Sequence, residues 1–175
     1  MPEPTPSQTV GPFFGYALPY PGGPDAAPSG HPATLTVHGH VYDGEGSPVP
    51  DALLEFWQAG PDGSATGRPG SLARNGVDFT GFARAETDAA GHWTVRTLPP
   101  PDARPYLCVC VFARGLTHHL FTRLYVPGAP GDALLDALPA ERRATLVAAP
   151  DGERTLRFDV HLQGEKETVF LVFGK

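Results

Sequence analysis

No stretch of this sequence is apolar for long enough to span a bilayer, and its N-terminus lacks the basic region and continuous apolar core of a signal peptide. A cytoplasmic protein with no membrane partner is expected. No basic block is present either. The net charge is −6, and a chain without a cationic surface cannot neutralise phosphates, which argues against a nucleic-acid partner. Cysteine is scarce, with only Cys108 and Cys110. They alternate within an apolar run, so both point to one face of a strand, where a disulfide between i and i+2 is geometrically poor. Small buried hydrophobes are the expected role. Long helix-forming runs are few and internal repeats are absent. No Ser-His-Asp order, phosphate-binding loop or paired-cysteine metal motif occurs.

What the chain does have is 21 glycines and 21 prolines, spread out between short strand-like segments. At 175 residues one domain is the default, able to bury about 70% of its unfolded surface without staples. Strands are predicted over 35–42, 52–58, 82–87, 92–97, 106–113, 117–126, 154–162 and 168–173. The turn Asp88-Ala89-Ala90-Gly91 reads as closing a hairpin. Helical periodicity is confined to 132–138 and 140–146, with Pro139 at the boundary, and 59–79 reads as a long glycine-rich loop. This pattern predicts a mainly β protein, a sandwich with long loops and one or two short helices.

The opening segment, Thr5-Pro6-Ser7-Gln8-Thr9-Val10-Gly11-Pro12-Phe13-Phe14, is punctuated against helix by two prolines and a glycine. Val10, Phe13 and Phe14 are too apolar for a free tail, so an extended arm lying on a surface is expected. Residues 1–33 are read as this arm and an irregular connection, packing on a partner, and 34–175 as the sandwich. Among the histidines, His38-Gly39-His40 offers two rings on one strand face but no third ligand, and an ordinary strand explains it. His118 and His119 point to opposite faces, with His119 expected to be half-buried and hydrogen-bonded. His31, His92 and His161 look scattered. Arg84, Arg123 and Arg157 are expected to pair with Glu55, Asp159 or Glu165.

The arm resembles the start of the intradiol ring-cleaving dioxygenases. Further pieces match in order: Gly39 to Gly44, Leu54 to Ala59, Gly81 to Arg84, Phe112-Ala113-Arg114-Gly115, Thr122 to Tyr125, Arg157 to Val160, and Gln163-Gly164-Glu165 with Glu167 to Phe170. The family holds ferric iron with two tyrosinates and two histidines, the latter a His-x-His pair on the strand leading into Phe112-Ala113-Arg114-Gly115. Those positions hold Tyr106 and Cys108 here. The expected first tyrosine falls on Ala65, and residues 99–104 contain no tyrosine for the second. The resemblance therefore implies a subunit that binds no metal and has no catalytic residue of its own. A homologous beta subunit would hold the Fe(III), and the complex would cleave 3,4-dihydroxybenzoate with O2 to 3-carboxy-cis,cis-muconate.

The same resemblance assigns substrate contact to Thr9, Gly11, Pro12 and Arg114. Gly11 allows close approach of the backbone to a ring, Pro12 gives a fixed apolar face, and Thr9 offers a hydroxyl. Arg114 brings permanent charge to a carboxylate. On residue type alone, Gly11-Pro12 equally suits a turn, Thr9 a backbone-satisfying hydroxyl and Arg114 a solvated hairpin charge. A structural scaffold subunit, or a self-contained dioxygenase for another catechol with a shifted ligand set, are the alternative readings.

Overall fold

The computed structural model describes residues 14–64 and 74–173. Thr9, Gly11, Pro12 and Ala65 lie outside them. A four-residue helix, α1 (Phe14–Ala17), was not expected from the sequence and precedes nine strands among the described residues. The strands are β1 (Leu35–Tyr42), β2 (Leu53–Trp57), β3 (Phe82–Glu86), β4 (His92–Thr97), β5 (Tyr106–Phe112), β6 (Leu120–Tyr125), β7 (Ala149–Pro150), β8 (Thr155–Arg157) and β9 (Val160–His161). Between β6 and β7 lie α2 (Ala133–Ala137) and α3 (Ala140–Ala144). The strands form two sheets. The first runs β4-β1-β8-β7, with β9 also on β1, and the second runs β3-β2-β5-β6. The expected β-sandwich with short helices is observed.

Alternation builds the core. β1 buries Val37 and Val41 while His38, His40 and Tyr42 face out, and β5 buries Leu107, Val109 and Val111 while Tyr106, Cys108, Cys110 and Phe112 face out. Phe56 of the second sheet meets Trp93 of the first, with ring centroids 4.9 Å apart. A smaller cluster of Tyr125, Leu135 and Leu146 seats the two late helices against the end of β6.

The hairpin expected at 88–91 does not form. β3 pairs with β2, and β4 pairs with β1 in the other sheet. The Asp88–Gly91 turn is present, closed by Gly91 N–H to Asp88 O at 2.9 Å, but it carries the chain across the sandwich. The reason is burial: Ala83 and Ala85 on one strand and Trp93 and Val95 on the other are all core residues, and they face one another from opposite layers. Turn chemistry specifies a reversal, not which sheet receives the returning strand.

Two other strand expectations are corrected. The segment 154–162 is two short strands, because Phe158 and Asp159 break the ladder over Gly39. A Cβ on Gly39 would sit 1.8 Å from the Phe158 carbonyl oxygen. Residues 168–173 make a single bridge, Leu171 to Phe121. There, side chains take over from the ladder: the Thr168 hydroxyl accepts from His161 N–H at 3.0 Å, and the Thr122 hydroxyl donates to Val169 O at 2.7 Å.

Residues 23–27, ahead of β1, are bonded into the sandwich. Gly23 O accepts from Arg84 N–H on β3 at 2.8 Å, and Pro24 O accepts from Arg96 N–H on β4 at 2.9 Å. One segment thus bridges the edge strands of both sheets and blunts them against further pairing.

Candidate functional site

Arg114 stands in the turn after β5. The register of β2 on β5 places Leu53 opposite Phe112, which brings the Pro50-Asp51 turn beside it. Arg114 donates from Nε and Nη2 to the Asp51 carboxylate at 3.2 and 2.9 Å, and from Nη2 to Pro50 O at 3.3 Å. Its Nη1 has no hydrogen-bond partner among the described residues, and the side chain is 53% exposed. Asp51 adopts a left-handed conformation, with φ 64. The base of the N-terminal arm reaches the same point: a Cβ on Gly15 would lie 3.5 Å from the Asp51 Cα. Arm root and arginine thus converge on one aspartate. Beside them Tyr16 is 85% exposed and Leu18 is also open.

The outward face of the second sheet is unusual for a sandwich. It carries Trp57, Phe82, Tyr106, Cys108, Cys110 and Phe112, all partly buried. Two ion pairs cross it. Arg84 donates to Glu55 at 2.9 and 2.6 Å, as expected from the sequence, and Arg123 pairs with Asp132 at 3.0 Å. The expected third pair, Arg157 with Asp159, also forms, at 2.8 Å. Asp132 was not foreseen as a partner. Its signal was its position as the N-cap of α2, where Oδ1 accepts from Leu134 and Leu135 N–H, both at 3.0 Å.

Tyr106 and Cys108 sit under Arg123. Cys108 is the cross-strand neighbour of Arg123, and the Arg123 guanidinium lies 4.1 Å from the centroid of the Tyr106 ring. Burial works against this charge, but the hydroxyl of Tyr125, Tyr106 and Asp132 outweigh it and raise the arginine further. Burial also pushes the Cys108 thiol up, with Arg123 opposing. A fixed cation over a neutral thiol and a phenol does not suit ferric iron, which needs anionic oxygen and imidazole donors. Arg104 donates to Gly63 O at 3.1 Å, joining the two loops that the family resemblance assigns to its tyrosines. Among the described residues, no group of three or more His, Cys, Asp or Glu is placed to hold a metal ion.

The remaining histidines differ from expectation. His119 is exposed, its ring packed between Phe112 and Phe121 at 5.5 and 4.7 Å. His92 and His161 are not scattered: they join His38 and His40 on the outer face of the first sheet, brought there by strand pairing that spacing along the chain does not reveal. Arg74 was also missed. It ties the 59–79 loop to Gly22 O, Tyr20 and Phe82 O.

Comparison with known proteins places this geometry. A family model described as dioxygenase matches residues 11–164. The protocatechuate 3,4-dioxygenase alpha chain of Burkholderia cepacia is 41% identical, covering 95% of each chain. That of Pseudomonas putida is 38% identical, covering 99% of this chain and 98% of the other. Among solved structures, the dioxygenase domain of a carbohydrate-binding fusion from a cellulolytic Streptomyces superposes with TM-score 0.58 at 29% identity, covering 93% of this chain and 99% of that one. The 3-chlorocatechol 1,2-dioxygenase of Rhodococcus opacus shares the fold, with TM-score 0.55 at 20% identity, covering 82% of this chain and 68% of that one. By sequence over nearly its whole length and by fold, the chain belongs to the intradiol dioxygenase family.

Proposed function

We propose that this chain is the non-iron-binding alpha subunit of a protocatechuate 3,4-dioxygenase, paired in the cytoplasm with a homologous beta subunit that holds the Fe(III). The observation that carries the reading is Arg123 held 4.1 Å over Tyr106, at the positions where the family keeps its histidines, in a chain 41% identical to an alpha chain over 95% of its length. The partner's ferric ion supplies the binding and activation of the catechol oxygens. This chain supplies the wall of the pocket.

Arg114 binds the ring carboxylate of 3,4-dihydroxybenzoate through the Nη1 that Asp51 leaves free, a charge-assisted bond of about 1.5–3 kcal/mol. Gly11 and Pro12 lie along the ring and Thr9 offers its hydroxyl, while the exposed Tyr16 and Leu18 anchor the arm on the partner. Enclosure of the ring excludes water from the reaction with O2. The isolated chain has no turnover.

The test is Arg114→Ala in the co-expressed complex. The KM for protocatechuate is expected to rise about ten- to a hundredfold. Unchanged kinetics with intact assembly would support a scaffold subunit instead. Stoichiometric iron on the purified lone chain would sink both readings.

A further inference from the structure

Four imidazoles share the outer face of the first sheet, opposite to the face that carries Tyr106 and Cys108. Alternation turns His38, His40 and Tyr42 outward on β1, and antiparallel pairing sets His92 directly opposite His40. The His92 ring lies 5.0 Å from that of His40 and 5.4 Å from that of His38. The His38 Nδ1 and His92 Nε2 atoms are 3.2 Å apart, and the other nitrogen of His38, Nε2, meets the Asp151 carboxylate at 2.8 Å. Asp151 belongs to the turn between β7 and β8, where its N–H donates to Thr155 O at 2.9 Å. One ring therefore connects β1, β4 and the β7–β8 turn.

We propose that His38 and His92 form a proton-linked latch, holding one proton at their contact and opening when a second arrives. Proton counting leads to this. In the neutral pair His38 donates from Nε2 to Asp151, so the contact proton resides on His92 Nε2 and is donated to His38 Nδ1. With one proton added to the pair, a single hydrogen still lies between the two contact nitrogens, and both bonds persist. With two added, both contact nitrogens carry hydrogen 3.2 Å apart, no acceptor remains between them, and like charges repel. The rings must separate, and the strap from β4 through His38 to the turn is lost.

The surroundings set the balance. On His92 act His38 and His40 from β1, Asp88 from the preceding turn, and Asp159 from the link between β8 and β9. Asp159 is itself held by Arg157 and by the His40 N–H. Tyr42 stacks between His40 and His161, and Lys166 faces His161. Burial, then His40 and His38, depress the His92 imidazolium, with Asp88 and Asp159 opposing. The sign follows: a depressed histidine lets the unfolded chain take the proton first. Stability is full above the ordinary histidine value near 6.5 and is lost as pH falls below it.

Hydrogen exchange read by mass spectrometry on the full chain, in the assembly in which it purifies, tests this. After correction for intrinsic rates, peptides covering 88–97 and 148–157 should exchange on the order of tenfold faster at pH 5.0 than at pH 7.5. Peptides from β5 and β6 should not change. His92→Asn, which cannot charge, should abolish the pH response in both segments. No acceleration in the wild type, equal acceleration in both sheets, or a response that survives His92→Asn overturns the proposal. If His92→Asn fails to fold, the wild-type contrast between the two sheets still decides.

Discussion

Arg114 and Asp51 are joined by two hydrogen bonds, 2.9 and 3.2 Å long, although each lies in a turn and 63 residues separate them. The pairing of β2 with β5 makes this contact, and it fixes which face of the guanidinium is left for a ligand. Under the role proposed for Arg114, Asp51 is its positioning residue. Asp51→Asn keeps an acceptor and tolerates the left-handed backbone, whereas Asp51→Ala loses the acceptor and strains the turn by about 1–2 kcal/mol. In the assembled enzyme Asp51→Ala should raise the KM for protocatechuate about fivefold with kcat nearly unchanged, the size of one lost hydrogen bond of about 1 kcal/mol. Asp51→Asn should lie closer to wild type. Identical KM values for wild type and a folded Asp51→Ala enzyme would separate Asp51 from substrate recognition.

Gly39 is required because a neighbouring backbone crosses it. The Phe158 carbonyl occupies the place of a side chain there, and Phe158 N–H donates to His38 O at 2.8 Å. Gly39→Ala must push β8 and β9 off β1 and lose pairing on both sides. A loss of about 3 kcal/mol or more is expected in chemical denaturation. Gly30, whose Cβ would meet nothing within 4 Å, provides the contrast: with φ +71, Gly30→Ala should cost only the backbone strain, about 1 kcal/mol. Equal losses at the two sites would remove the steric argument.

The contrast between strands and site shows what the sequence carries. The stretches 35–42 and 92–97 were readable to the residue because alternation and flanking turns are local signals. The destination of β4 was not, since a turn at Asp88–Gly91 serves a hairpin and a crossing between sheets equally well. The turn that carries Arg114 was legible from its motif, yet the Asp51 beside it was not, because their contact depends on the β2–β5 register. The histidine cluster was hidden for the same reason. His38 and His40 are two apart, but His92 and Asp151 reach them only through pairing at separations of 54 and 113 residues.

The outward face of the second sheet makes an alkaline prediction. Burial, with Glu55 adding, pushes the Cys110 thiol up to about 12, and burial likewise pushes the Tyr125 phenol up to about 12. An acid whose folded value is raised stays protonated while the unfolded chain ionises. Its contribution is complete below the unfolded value and is lost as pH rises toward the folded one. Stability should hold to about pH 8.5, fall first through the cysteines, and fall more steeply from about pH 10 as Tyr125 joins. Iodoacetamide at pH 8 should label Cys110 at least about a hundredfold more slowly in the native chain than in urea, because the thiolate is the nucleophile. Comparable rates would show that the thiol is not desolvated.

Asp132 combines three tasks in one carboxylate. Its Oδ1 caps α2 through two amides, while Oδ2 accepts from Arg123 at 3.0 Å and from the Tyr125 hydroxyl at 2.9 Å. Burial raises its carboxyl, but the Leu135 amide, the Tyr125 hydroxyl, Arg123 and the Leu134 amide together hold it below the ordinary value of 3.8. The depressed acid stabilises the fold above that ordinary value, and the contribution disappears as pH falls through the lowered one. Asp132→Asn keeps the capping oxygen but sets an amide NH2 where Arg123 and Tyr125 donate, and should cost about 2 kcal/mol. Asp132→Ala removes the cap and leaves Arg123 and Tyr125 without their shared acceptor, at about 3 kcal/mol. Both are read from denaturant midpoints at pH 7, and the gap between wild type and Asp132→Asn should narrow as pH falls through the lowered carboxyl value, where the wild type loses its charge. A gap between wild type and Asp132→Asn that is unchanged over that fall would mean that the cap, and not the ion pair with Arg123, sets the energy of this corner.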